Sequence, residues 1–252
     1  MQLNNKIIIS ALSLGLAFAT WLLFIFLANI SGPFPGAERF FLLMGGSTGG
    51  YIQFFCYLGF YFGLIEVINA NKTVKNELEG FNLNLLPKED QLVLSPEEVA
   101  NIKLSVIEME KRGLIYKISN FIKKTCTQYR NDNSISETLH VMDMQIENDK
   151  DELEGGLSMV RYMIGAIMSL GFIGTLIGLS SAIGNAHLAK TEEGLPILTS
   201  FLNVAFDTTM VALILGLILN FYYYNLLENI DKFYAKSKSY IVDNLISRIY
   251  NQ

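Results

Sequence analysis

Three polar residues stand where a chain this apolar has few: Thr175, Asp207 and Thr209. Asp207 is the one acid set well inside an apolar run, and a carboxylate at the centre of a bilayer costs about 2.5–3.5 kcal/mol on insertion scales. Such a group either takes part in moving an ion or is tied to hydroxyls or to a buried base. The two threonines each occupy the second place in a stripe of small residues. Gly171, Thr175, Gly178 and Ala182 follow one another at i, i+4, i+7 and i+11, and Ala205, Thr209, Ala212 and Gly216 repeat that spacing. Small residues let helices pack closely in lipid, where no hydrophobic force drives them together. Packing therefore accounts for the glycines and alanines. The hydroxyls have two readings: they flank a passing ion or an inserted partner helix, or they bond back to their own helices.

The elements that must position these residues are membrane spans. Of the 252 residues 51% are hydrophobic and only 17% charged, against about 25% charged in a soluble domain. That balance excludes disorder and a disulfide scaffold. The net charge of −5, without basic clustering, excludes a nucleic-acid partner. Four apolar runs are long enough to cross a bilayer: Ile7 to Ala28, Tyr51 to Ile68, Tyr162 to Ile183 and Ile197 to Tyr223. The first continues past a signal-peptide-like Ala17-Phe18-Ala19 and reads as an uncleaved span. Residues 31–50 and 186–196 hold only Arg39 and Lys190 of the 19 basic residues. The positive-inside rule then places both termini and the 70–160 insert in the cytoplasm. Glu66 and Arg161, near span ends, read as snorkelling groups.

The expected fold is all-α: a polytopic membrane protein with four spans and a helical cytoplasmic domain continuous with the third and fourth. Residues 1–69 hold the first two spans and an external connection, 31–50. Residues 70–160 form the cytoplasmic domain, 161–224 the last two spans, and 225–252 a cytoplasmic C-terminal helix. Ser95-Pro96-Glu97-Glu98 reads as a capped helix start, and Ser134 to Glu137 as a second. Leu139, Met142, Ile146, Leu153, Leu157 and Val160 step at helical spacing, which predicts one long helix running into span three. Along that helix and span four, Thr175 lies 13 residues past Tyr162 and Thr209 lies 14 before Tyr223. At 1.5 Å per residue both hydroxyls fall about 20 Å from the cytoplasmic side. Asp207 points about 200° away from Thr209 around its helix. Cys56 and Cys126 read as free thiols, and His140 and His187 stand alone, so no metal set and no catalytic motif is present in the sequence. The chain reads as no enzyme.

Two segments carry a family resemblance. Leu170-Gly171-Phe172-Ile173-Gly174-Thr175-Leu176-Ile177-Gly178-Leu179 resembles the third span of the MotA/TolQ/ExbB proton-channel family, and Ala205-Phe206-Asp207-Thr208-Thr209-Met210-Val211-Ala212-Leu213 resembles its fourth. The order of spans and insert agrees. The resemblance implies a ring subunit of an ion-driven motor in a bacterial inner membrane. The ring would be a homo-oligomer, typically a pentamer, around two copies of a small single-span partner with a transmembrane aspartate. Protons or sodium ions passing that aspartate drive movement, and no cofactor is required. Thr175 and Thr209 match the polar residues along the path, and Thr208 and Asp207 of the same motif are further ion-pathway candidates. Gly171, Gly174, Gly178, Ala182, Ala205, Ala212 and Gly216 would supply helix packing or room for the partner helices. Residues 31–50, a longer connection than the tight turn of flagellar stators, and Asp207 itself set the chain apart within the family. A competing expectation is a non-conducting scaffold or signalling subunit of the same shape.

Overall fold

The computed structural model describes residues 2–30, 35–46, 50–87, 93–191 and 194–249. Eight α-helices follow in order among them: α1 (Gln2–Ile30), α2 (Pro35–Phe41), α3 (Gly50–Leu78), α4 (Pro96–Lys111), α5 (Lys117–Asp132), α6 (Ile135–Gly156), α7 (Ser158–Gly184) and α8 (Gly194–Asn244). Strands are absent among the described residues apart from an isolated parallel bridge between Leu94 and Ile249. Four stretches are long and apolar enough to cross a membrane, and they fall on α1, α3, α6 with α7, and α8. The protein is a multi-pass, all-helical membrane protein.

The chain divides into two compact units. The first holds residues 1–68 and 157–224, the second 69–156 and 225–252. Helices α3 and α8 each give one part of their length to each unit.

In the first unit, small residues bring the helices together. A Cβ added at Gly59 of α3 would meet Ile167 of α7 at 3.1 Å, and one at Gly63 would meet Leu219 of α8 at 2.7 Å. Aromatic rings join α1 to α3, with Trp21 beside Phe54 and Phe24 stacked on Tyr57. The outward faces are apolar. Phe18, Leu22 and Phe26 of α1, Phe172 and Leu176 of α7, and Phe206, Leu217 and Phe221 of α8 are all exposed. A helix apolar on every side suits lipid and not water.

The connection between the first two spans is not simply a loop. Residues 35–41 form α2, and Leu42–Gly46 make a π-helical turn against α1. Its end is held by α3: the Gln53 amide donates to the Leu43 carbonyl at 3.1 Å, and the Tyr57 hydroxyl to the Met44 carbonyl at 2.6 Å. A carbonyl away from water needs such a donor. Gly45, at φ 129°, takes a backbone conformation open to glycine.

The second unit packs α4, α5, α6 and the end of α8 with the end of α3. Ser95 caps α4 with a full capping box, the Glu98 backbone N–H donating to the Ser95 hydroxyl and the Ser95 N–H to the Glu98 carboxylate. Those hydrogen bonds hold the Glu98 carboxyl below its ordinary pKa. The Ser134 hydroxyl accepts from the Glu137 N–H at the start of α6. Phe81 lies edge-on to Phe233 and Tyr240, over a core that includes Ile118, Ile122, Ile230 and Ile241. Asp149 of α6 accepts from the Lys117 ammonium of α5 and, at 2.6 Å, from the Tyr234 hydroxyl of α8. Lys150 to Asp231 and Lys238 to Asp143 add two more ties between α6 and α8.

The long helix expected to run into span three is present with one interruption. Helix α6 ends at Gly156 and α7 starts at Ser158, with Leu157 as the turn between them. The Leu157 carbonyl accepts from the Val160 and Arg161 N–H groups and so starts the new helix. Gly155 and Gly156 explain the break: glycine loses the most backbone freedom in a helix interior, about 1 kcal/mol against alanine. Neither glycine gains close packing in return. Helix α8 has no such interruption through Asn244.

Candidate functional site

The two small-residue stripes meet. Helices α7 and α8 pack antiparallel through contacts that step along both: Gly178 against Ala205 and Phe201, Gly174 against Thr208, Gly171 against Ala212 and Thr209, and Gly216 against Met168. A Cβ at Gly171 would lie 2.5 Å from that of Ala212, and one at Gly178 would lie 2.7 Å from the Ala205 nitrogen. Glycine is needed at these crossings because the opposing atoms include backbone, which cannot turn away. Ala182, at the far end of its stripe, is half-buried.

The threonines sit where the stripes cross. The Thr175 and Thr209 hydroxyls are hydrogen-bonded to each other. Thr209 Oγ1 lies 3.0 Å from both the Gly171 and the Ala205 carbonyl oxygens, and Thr175 Oγ1 lies 3.3 and 3.2 Å from the same two. Four oxygens, two from hydroxyls and two from the backbone, gather between the helices. Two hydroxyl protons cannot saturate them, so the cluster keeps acceptor capacity. Both threonines are half-buried. This is a polar point in a seam of small residues, able to hand a proton between hydroxyls or to offer oxygens to a small cation.

Thr208 does something else. It is fully buried, its hydroxyl lies 2.9 and 3.2 Å from the Val204 and Ala205 carbonyls, and it fills the space that Gly174 leaves. It serves as a packing knob.

Asp207 is 1% exposed and faces away from the threonine cluster. Its carboxylate takes two hydrogen bonds from Arg39 of α2, at 2.7 and 2.6 Å. A bidentate arginine–carboxylate pair neutralises both charges and satisfies the carboxylate in plane. Asp207 is thus tied to a base, and the two hydroxyls both face each other and bond back to their own helices, Thr175 to Gly171 and Thr209 to Ala205. That base is Arg39, which the sequence shows only as one of two cations in the segments 31–50 and 186–196. The signal was its isolation. A lone arginine beside Phe40, Phe41, Leu42 and Leu43 and a lone acid inside a span call for each other on charge grounds.

At the opposite end of α7, Arg161 donates to the Tyr223 hydroxyl at 3.0 and 3.2 Å. The guanidinium lies 5.9 Å from the Tyr223 ring centre. Glu66 is half-buried on α3. Among the described residues no three His, Cys, Asp or Glu side chains come together as a metal site.

An antiparallel pair of spans, closed by glycines and carrying a hydroxyl–carbonyl cluster in its seam, belongs to the class of helical membrane proteins with a polar element inside the bundle. Residues 116–238 match the MotA/TolQ/ExbB proton channel family, and over that segment the chain is similar to it. The match runs from the start of α5 through α6 and α7 and well into α8, and so includes Thr175, Asp207, Thr208 and Thr209. No curated protein and no solved structure matches the chain. The family is one of proton channels, a transport function and not a class of enzymes.

Proposed function

We propose that the protein is a ring-forming subunit of a proton- or sodium-driven motor in a bacterial inner membrane, with both termini in the cytoplasm. In this reading several copies, five by the family resemblance, surround two copies of a small single-span partner. Ions pass an aspartate on that partner and the seam of Thr175 and Thr209, and their passage is converted into rotation or force. The observation that carries the reading is the hydroxyl pair. Two threonines from antiparallel spans meet at one level, beside two backbone carbonyls, in a segment that matches a proton channel family. Such a cluster offers a path for charge where bare hydrocarbon offers none.

A second reading, a non-conducting scaffold, draws support from the same bonds, because both hydroxyls already have partners within the chain. Native mass spectrometry of the complex from its own membranes, with ion flux measured on the same preparation, separates the two. A ring carrying two copies of a small aspartate-bearing protein, with measurable flux, supports the motor. A ring that assembles but passes no ions supports the scaffold. A monomer without a partner overturns both.

A further inference from the structure

Asp207 cannot reach water by itself: its side chain is 2% exposed, whereas that of Arg39 is 44% exposed. The pair is therefore asymmetric. Arg39 can swing its head outward when released, since long basic side chains snorkel. Asp207 has nowhere to go. The guanidinium also lies 3.4 Å from the Asn203 side-chain oxygen, one turn earlier on the same face of α8. Arg39 thus grips two successive turns of that helix.

The arginine stands on a fixed base. The segment that carries it ends in carbonyls held by Gln53 and Tyr57, which are 0% and 3% exposed. Its last turn lies against Trp21, whose ring would meet a Cβ at Gly45 at 3.2 Å. From Asp207 to Tyr223 is 16 residues, about 24 Å of helix. With Tyr223 at one interface, the ion pair lies in the far part of a hydrocarbon core about 30 Å thick. The pair then lies about 6 Å short of the far interface, within reach of a snorkelling arginine but not of the shorter, buried aspartate.

We infer that Arg39 is a positioning residue: its pairing with Asp207 fastens the segment 35–46 to α8 and sets the rotation at which that helix presents Thr209 to Thr175. Asp207 and Thr209 are two residues apart and point to opposite sides, so a grip on one fixes the heading of the other. Gly174, Gly171 and Gly178 seat the α7 side of α8, and Arg39 holds it from behind. The consequence for ion passage rests on the motor reading above. The tie itself does not.

The test uses the full-length protein in membranes, with Thr209→Cys as a reporter for a membrane-permeant maleimide and mass spectrometry to read that site. Four backgrounds are compared: Arg39→Ala, Asp207→Asn, the two combined, and Arg39→Lys. Ion flux is measured in parallel without the reporter. Arg39→Ala strands a buried carboxylate and is expected to change labelling of the reporter thiol by about fivefold or more, because local packing around α8 opens. Asp207→Asn also cuts the charged tie but strands no buried charge, so it is expected to change labelling in the same direction by less, about two- to threefold. The combined variant should fall back from Arg39→Ala to the level of Asp207→Asn and not to wild type, and Arg39→Lys should fall between wild type and Asp207→Asn, since an ammonium is a point charge and not a fork. Flux should follow the same order. If Arg39→Ala does not assemble, recovery of assembly in the combined variant supports the tie equally. Unchanged labelling in Arg39→Ala overturns the inference, and so does wild-type labelling in both Asp207→Asn and the combined variant, which would show that α8 keeps its rotation without the tie. Absence of flux in the wild type would overturn the motor reading while the labelling order still decides the tie.

Discussion

Thr175 and Thr209 lie 34 residues apart in sequence and share one hydrogen bond across the α7–α8 seam, with the same two carbonyls, Gly171 and Ala205, within reach of both. Hydrogen bonds between spanning helices average about 0.6 kcal/mol and reach about 1.7. That is too little to hold four helices together. Thr209→Val keeps the shape and deletes the hydroxyl, so the expected outcome is a protein that assembles normally and conducts at least about tenfold less. Thr209→Ser should retain most of the flux. The check is ion flux in vesicles together with native mass of the complex. Full flux in the valine variant would remove Thr209 from the path.

The glycines of α7 are not equivalent, and the seam says which matter. A Cβ at Gly178 would lie 2.7 Å from the Ala205 nitrogen and from the Phe201 oxygen. Backbone cannot yield as a side chain can, and overpacking of this kind costs about 1–3 kcal/mol. Gly165, on the same helix, has nothing within 4 Å of its added Cβ. Gly178→Ala should therefore lower the thermal midpoint of the detergent-solubilised protein, and Gly165→Ala should leave it unchanged or raise it. Equal midpoints for the two variants would show that the α7–α8 crossing is looser than described.

Asp149 joins three helices of the second unit. It accepts from Lys117 and Tyr234, and the backbone N–H of Lys117 is itself held by Glu77 at 2.6 Å. The Asp149 side chain is 29% exposed, so solvent screens part of the charge pairing. Tyr234 is 3% exposed and depends on this acceptor more. Asp149→Ala is expected to cost about 1–3 kcal/mol, seen as faster hydrogen exchange at the amides of α5 and α6. Asp149→Asn, which keeps an acceptor for the tyrosine, should cost less. If both variants exchange like wild type, the cluster is surface decoration.

The spans, the capped start of α4 and the paired stripes were legible because each rests on local pattern: apolar length, Ser95 with Glu98, and small residues at helical spacing. That Thr175 and Thr209 stand at one level along the helix pair followed from counting 1.5 Å per residue along two antiparallel helices. What local pattern does not carry is partnership at long range. Arg39 and Asp207 are 168 residues apart, and only the packing of α2 beside α8 joins them. The same limit hid the helix in residues 35–46, whose carbonyls are satisfied by Gln53 and Tyr57 on another element. The break at Leu157 went unread for the opposite reason. Leu153, Leu157 and Val160 keep the helical period through it, and the apolar stripe outweighed the two glycines ahead of the turn.

Cys126 offers a chemical readout of the second unit. It is 2% exposed on α5, and burial pushes its thiol from 9.0 up to about 12. The thiolate is the reactive form, so at pH 8 a shift of that size lowers its population by about a thousandfold. Folding also couples to pH through this group. Below pH 9 both states keep the proton and the stabilising contribution is whole. Between 9 and about 12 the unfolded chain releases its proton while the folded one retains it, and the contribution is lost as pH rises. Two outcomes are expected. Maleimide labelling of Cys126 at pH 8, resolved from Cys56 by mass spectrometry, should be slow in the native protein and fast in denaturant. Cys126→Ala should flatten the fall in thermal midpoint above pH 9, with little change in its slope at pH 7. Rapid native-state labelling would mean that the core of α5 opens readily, and the packing around Ile118, Ile122 and Cys126 would have to be redrawn.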